Sequence, residues 1–170
     1  MFKLLLLFVS SILFFFYSLP TYAALDYGKQ TLIGADFSNT DLKGATFYLS
    51  DLQDADFSGS DLQGASFFDA KLENANLSNT NMRDVTMDAA ILNGANLSNS
   101  ILEGAFAYNA KFENVIIDGA DFTDALLDRT QQKSLCERAS GKTAESLKCG
   151  SLSAGYVPAS EGQNKFNPGT

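Results

Sequence analysis

The sequence predicts an all-β solenoid of about five stacked coils, followed by a short α-helical cap. Three observations carry that expectation. Large apolar residues recur at every fifth position from Leu32 to Leu127, a longer polar motif returns every twenty residues, and both patterns stop where a helix-forming segment begins. Such repetition marks architectures in which a unit buries its apolar side only against its neighbours.

The first element is an address. Lys3 precedes an apolar run from Leu4 to Leu19, Pro20 breaks it, and Thr21-Tyr22-Ala23-Ala24 supplies small residues for cleavage after Ala23. That order of charge, apolar stretch and small residues is the order of a secretory signal peptide. The run spans 16 residues and contains three serines, short of the ~20 residues that cross a bilayer comfortably. Residues 1–23 are therefore expected to be removed, with no stable membrane insertion afterwards. Loss of Lys3 takes the net charge from -8 to -9.

The second element is the repeat, residues 24–129. Its large slot reads Leu32, Phe37, Leu42, Phe47, Leu52, Phe57, Leu62, Phe67, Leu72, Leu77, Met82, Met87, Leu92, Leu97, Leu102, Ala107, Phe112, Ile117, Phe122 and Leu127, with Ala107 alone undersized. A small residue sits two positions before most of these, and Gly, Asn or Asp two positions after. Neither the helical period of 3.6 nor the strand period of 2 fits. A residue tolerant of positive φ in every unit calls for a type II turn in every unit. The chain thus bends regularly and points one large and one small side chain inward at each step.

The coil length follows from the outward residues. Ala35-Asp36-Phe37-Ser38-Asn39 returns as Ala55-Asp56-Phe57-Ser58-Gly59, then as Ala75-Asn76-Leu77-Ser78-Asn79 and Ala95-Asn96-Leu97-Ser98-Asn99. A twenty-residue echo means four units per coil. Gln30 to Arg129 then gives about five coils, a stack roughly 24 Å tall at the ~4.8 Å spacing of paired strands.

This pattern resembles the pentapeptide repeat family, whose motif is Ala-Asp/Asn-Leu-X-X. Ala35-Asp36-Phe37, Ala55-Asp56-Phe57, Ala75-Asn76-Leu77, Ala95-Asn96-Leu97 and Ala120-Asp121-Phe122 carry the resemblance. It implies a right-handed, four-sided parallel β-helix.

Two outward surfaces invite chemistry. Asp36, Asp56, Asn76 and Asn96 stand beside Ser38, Ser58, Ser78 and Ser98, with Asp41 and Asp61 at neighbouring corners. Stacked carboxylates can hold a hard cation. The switch from Asp to Asn along the stack instead relieves repulsion by hydrogen bonding, and we expect that solvated ladder rather than a metal site. Another wall presents Tyr48, Phe68 and Tyr108, with Phe106 outward nearby, while Ile91, Ile101 and Ile116 take other outward slots. Exposed aromatics mark a candidate protein contact. The alternative is that the leader-proximal segment or the C-terminal tail covers this wall.

The third element is residues 130–150. Thr130 to Ala139 reads as a short helix capped by Thr130 and ended near Gly141, and Thr143 to Cys149 as a second, capped by Thr143 with Gly150 as terminator. Both are too short to stand alone and are expected to pack on the last coil. In an exported chain the two cysteines, Cys136 and Cys149, are expected to form a disulfide, either structural or a redox switch for the cap. Residues 151–170, rich in Gly, Ser, Pro and Asn, read as a flexible tail. The stretch from Asp128 to Gly141 resembles the tail of exported pentapeptide repeat proteins of cyanobacteria and the chloroplast thylakoid lumen. That resemblance implies the thylakoid lumen or the periplasm.

Composition narrows the function. With no histidine there is no Ser-His-Asp or Cys-His nucleophile, and two cysteines cannot form a four-thiolate zinc site. No phosphate-cradling loop appears, so neither an enzyme nor a cofactor is expected. The 16 acidic and 5 basic residues between Gln30 and Arg129 argue against nucleic-acid binding. The expected role is a scaffold or protein-interaction module with an unknown protein partner. The family resemblance adds an alternative, a DNA-mimicking regulator of topoisomerase, which the export signal opposes. A thiol-responsive lumen protein is the other alternative.

Overall fold

The computed structural model describes residues 25–150. The expected signal peptide, residues 1–23, and the expected tail, residues 151–170, lie outside the described residues. From Asp26↔Thr46 to Phe106↔Leu126, isolated parallel bridges join residues twenty apart. Every fifth residue takes part, so four five-residue units make one turn of pairing. The four resulting walls are numbered by their bridge columns. The first runs Asp26, Thr46, Ser66, Thr86, Phe106 and Leu126. The second begins at Thr31, the third at Asp36 and the fourth at Asp41.

Backbone hydrogen bonds repeat with the same spacing. From Tyr27 to Ala107 the N–H of each large-slot residue donates one coil ahead, as in Phe57 to Asn76 at 2.8 Å, and from Thr46 to Leu126 the bridge residue's N–H donates one coil back, as in Asn76 to Ala55 at 2.9 Å. Each corner closes with a bond three residues long, such as Ala75 N–H to Leu72 O at 3.1 Å. Backbone φ is positive at the third turn position all along the repeat, from Lys29 to Asp124, as a type II turn requires.

The register begins one unit earlier than the Leu/Phe series shows. Asp26 bridges Thr46, and Tyr27 fills the first large slot. Tyr27 and Lys29 hid this unit, because neither is typical of its slot. Inside, the ring of Tyr27 stacks on Phe47 at 4.9 Å and Phe47 on Phe67 at 4.9 Å, while Phe37 stacks on Phe57 at 5.0 Å. The two columns meet edge to face, as in Phe47 against Phe57 at 5.5 Å, the arrangement that ring quadrupoles favour. Further along, Leu and Met replace the rings, all fully buried to Leu97. Ser60, Thr80 and Ser100 occupy small inward slots, and each hydroxyl donates 2.6 Å to the carbonyl three residues before it. A buried hydroxyl is thereby satisfied within its own turn.

After Leu127 the chain forms α1, Arg129–Cys136, and α2, Gly141–Ser146. The caps differ from the sequence expectation. Asp128, not Thr130, caps α1: its carboxylate accepts from the N–H groups of Thr130 and Gln131, and Gln131 Oε1 accepts the Asp128 N–H at 2.7 Å. This reciprocal box satisfies more orphan groups than a lone Thr hydroxyl. The helix ends at Cys136 with Glu137 as its C-cap, before Gly141. Ser140 stands at the N-cap of α2 without a side-chain bond, and Thr143 lies inside the helix, where its Oγ1 donates 3.1 Å to Ile117 O. Lys148, rather than Gly150, takes the left-handed conformation just past α2.

The helices meet the last coil through bonds that continue the β-helix register. In the last complete coil, the carbonyls of Ala90, Ala95, Ser100 and Ala105 accept from the N–H groups of Lys111, Ile116, Asp121 and Leu126, each twenty-one residues on. Ala110 O would by that rule accept from residue 131, and the Gln131 side-chain amide does so at 2.6 Å, also reaching Ala107 O at 2.8 Å. Arg138 donates to Phe112 O at 2.9 Å, and Phe122 N–H donates to Ser146 Oγ at 3.0 Å. Leu135 and Leu147 are buried against the core. Cys136 and Cys149 are joined, with Cα atoms 5.5 Å apart.

Candidate interaction face

The first wall carries three outward columns. Its bridge column ends in Phe106 and Leu126; its next column reads Gly28, Tyr48, Phe68, Asp88 and Tyr108; and its turn column reads Lys29, Leu49, Asp69, Ala89 and Asn109. The structure thus puts all four residues expected from the sequence, Tyr48, Phe68, Phe106 and Tyr108, on one wall. Two more join them that sequence reasoning missed. Leu49 and Leu126 are exposed there, the first beside Phe68's column and the second bridged to Phe106. Counting by twenty from Phe106 would have found Leu126.

The wall is not uniform. Leu49 and Phe68 lie toward the first coil, and Phe106, Tyr108 and Leu126 toward the last. Thr86, Asp88 and Ala89 separate them. Asp88 Oδ1 accepts the Tyr108 N–H at 2.7 Å across one coil, which fixes the acid in place. Phe68 is 49% and Tyr108 47% exposed, whereas Tyr48 is half-buried. The Tyr48 ring lies over Gly28, where an added Cβ would overlap it, and under Lys29 Nζ, 5.3 Å from the ring centroid. Tyr48 is therefore partly covered by the leader-proximal unit, so the free apolar surface starts at Leu49.

Turn chemistry singles out the same wall. On the second, third and fourth walls the positive-φ slot always holds Gly, Asn or Asp. On the first wall it holds Lys29 at φ 59, Leu49 at φ 55 and Ala89 at φ 60. A side chain other than Gly, Asn or Asp costs about 1–2 kcal/mol there, from Cβ against the following carbonyl. Ile33 and Ile116 are exposed singly on other walls, and Ile91 and Ile101 are half-buried; scattered apolar residues are ordinary.

The third and fourth walls are polar ladders. Asp36 and Asp56 accept the N–H groups of Ser38 and Ser58, at 2.9 and 2.8 Å. Asn76 Nδ2 donates to Asp56 at 3.1 Å, and Asn81 Nδ2 to Asp61 at 2.9 Å. The Asn rungs thus supply the donors that a column of carboxylates lacks. The Ser38 hydroxyl and N–H hold the Asp36 carboxyl below its usual range, and Thr123 does the same for Asp121. Burial pulls Asp61 upward, but Lys43 Nζ at 3.0 Å and the bonds from Gln63 and Asn81 bring it below its usual range. The hydrogen bond to Asp61 in turn raises Lys43. Among the described residues, no three carboxylate or cysteine side chains converge as metal ligands. A groove beside α2, lined by Asp121, Thr123, Lys142, Glu145, Ser146 and Lys148, is open to solvent. No described helix is long and apolar enough to cross a membrane.

Parallel bridges every fifth residue, twenty residues per turn and a corner turn in each unit define a β-helix built from five-residue units. The pentapeptide repeats family profile matches residues 31–67, 65–104 and 90–129, in eight copies. The chain belongs to the pentapeptide repeat family, whose members fold as right-handed quadrilateral β-helices. Its structure is similar to that of a pentapeptide repeat protein of the Arabidopsis thaliana thylakoid lumen, with 40% identity and a TM-score of 0.70 over 72% of this chain and 90% of that one. A pentapeptide repeat protein from Nostoc matches at 24% identity and a TM-score of 0.42, over 69% of this chain and 94% of that one. A plasmid-mediated fluoroquinolone resistance protein matches at 17% and 0.31, over 68% and 95%. No curated protein sequence matches the chain.

Proposed function

We propose that the chain is an exported, non-enzymatic pentapeptide repeat protein that binds a protein partner along its first wall. One observation carries the reading: Leu49, Phe68, Phe106, Tyr108 and Leu126, five of the exposed large apolar residues, share that wall. Its departures from turn chemistry support it, since strain retained at a surface points to use. The rigid right-handed stack of about five coils is the scaffold, and α1 and α2 are its cap. The disulfide between Cys136 and Cys149 serves structure by tying the end of α1 to the segment just past α2.

Destination is part of the proposal. The leader's order of charge, apolar run and small residues supports export, and the 40% identical relative is a thylakoid lumen protein. We infer the thylakoid lumen or the periplasm. The test is affinity capture from fractionated membranes and lumen, comparing wild type with Phe68→Ser plus Tyr108→Ser. The double variant is expected to lose a partner that wild type retains; retention of every partner would sink the reading. The acidic repeat supports the topoisomerase alternative, which requires an intracellular unprocessed form and inhibition of gyrase supercoiling.

A further inference from the structure

The two ends of the β-helix are finished differently. At the last coil, side chains of Gln131, Arg138, Thr143 and Ser146 take up backbone groups, and Leu135 and Leu147 cover the core. At the first coil no comparable cover exists among the described residues. The N–H groups of Thr31, Asp36 and Asp41 are equivalent in register to those of Asp51, Asp56 and Asp61, which donate to Gln30, Ala35 and Thr40. The first-coil groups have no acceptor among the described residues. Tyr27, Leu32 and Phe37 are only partly buried, although their counterparts one coil on, Phe47, Leu52 and Phe57, are fully buried. Leu25 and Ile33 are exposed at the rim. Among the described residues this end is an apolar cross-section ringed by open backbone groups, the condition that invites edge pairing.

We propose that this end is an interface, and that its occupant is the same end of a second copy. Three features select that partner. An open coil edge needs a surface with matching spacing of backbone donors and acceptors, and among the described residues only another first coil offers it, because the last coil is closed by helices. The charge permits the approach: residues 26–45 carry three carboxylates and two lysines, against fourteen acidic and four basic residues over 46–129. Like-charge repulsion is therefore weakest at this end. Finally, cleavage after Ala23, which belongs to the export reading above, leaves only Ala24 ahead of Leu25, too little chain to cover the end from within. The contact is isologous and closes as a two-fold dimer, so it does not propagate into filaments.

The experiment uses the full chain, exported and processed by its host, with its N-terminus fixed by mass spectrometry. Sedimentation across a concentration series reads the association constant, and small-angle scattering reads the length. A dimer about twice as long as the monomer is expected, as end-to-end stacking requires. Thr31→Pro removes an edge donor that the fold does not use, and should weaken association about tenfold or more. Ile33→Glu, which leaves the backbone unchanged, should act in the same direction, with thermal unfolding confirming that both variants remain folded. A monomer at every concentration would overturn the proposal, including one that dimerises only after removal of residues 151–170, since the tail would then be the occupant. A dimer insensitive to both variants, or one that is not elongated, would overturn it as well. So would failure to find any species beginning near Ala24, because the end would never be freed.

Discussion

The first and third walls share one backbone and one core, yet differ in almost every outward residue. The third wall follows the repeat's own chemistry. Asp36, Asp56, Asn76 and Asn96 bind the N–H two residues on, and its turn slot holds only Asn and Gly. The first wall replaces bridge-column polar residues with Phe106 and Leu126 and turn residues with Lys29, Leu49 and Ala89. Since both walls pair equally well, folding alone does not account for the difference. What the repeat needs is confined to inward slots and turn backbone. What it displays can vary wall by wall, and one wall has varied at a cost.

The largest expected effect removes the comparison altogether. Leu77 is fully buried under the third wall, within the core that all walls share. Leu77→Asp should destabilise by upwards of about 4 kcal/mol, because an unpaired charge enters an apolar interior. Circular dichroism should show loss of the β-helix rather than local change; a cooperative unfolding transition like that of wild type would contradict the shared core. Gln131→Ala comes next, at about 2–3 kcal/mol, since it leaves Ala110 O and the Asp128 N–H without their partners and takes one of two donors from Ala107 O. Hydrogen exchange should accelerate in the last coil and α1 while coils around Leu77 keep their protection.

Leu49→Gly separates the walls most directly. Relief of positive-φ strain, less the entropy of an added glycine, should stabilise by about 0.5–1 kcal/mol. If the first wall binds a partner, the same change should weaken capture, giving a more stable and less active protein. Loss of stability on thermal melting would show that Leu49 is not strained. The smallest effect is expected on the third wall. Ser78→Ala gives up a partly exposed bond to Asn76 Oδ1 at 2.8 Å and should cost under about 1 kcal/mol, with capture unchanged.

These contrasts also explain what the sequence could disclose. The large slot, the small slot and the twenty-residue columns were legible because each records a rule repeated in every coil. Tyr48, Phe68 and Tyr108 fell on one wall by counting alone, with Phe106 nearby. Features made once were not legible. Tyr48 belongs to the right column, but its ring leans over Gly28 because that unit has no side chain to prevent it. Tyr27 fills a large slot without matching the Leu/Phe pattern. The cap on α1 depends on Asp128, the last residue of a repeat column as well as the first of a capping box, and the periodic reading assigned that role two residues late.

The Gln131 amide has a consequence for length. It bonds where a further coil would place a backbone N–H, so the stack stops at that level without leaving Ala110 O unsatisfied. Because each interior coil bonds identically above and below, removal of one twenty-residue block, such as 76–95, would rejoin equivalent positions and leave both ends as they are. The molecule would shorten by one step of about 4.8 Å, bringing the Phe68 and Tyr108 levels closer by the same amount. The protein is in that sense a ruler, graduated in coils, with its zero at an open edge and its stop at a single side chain.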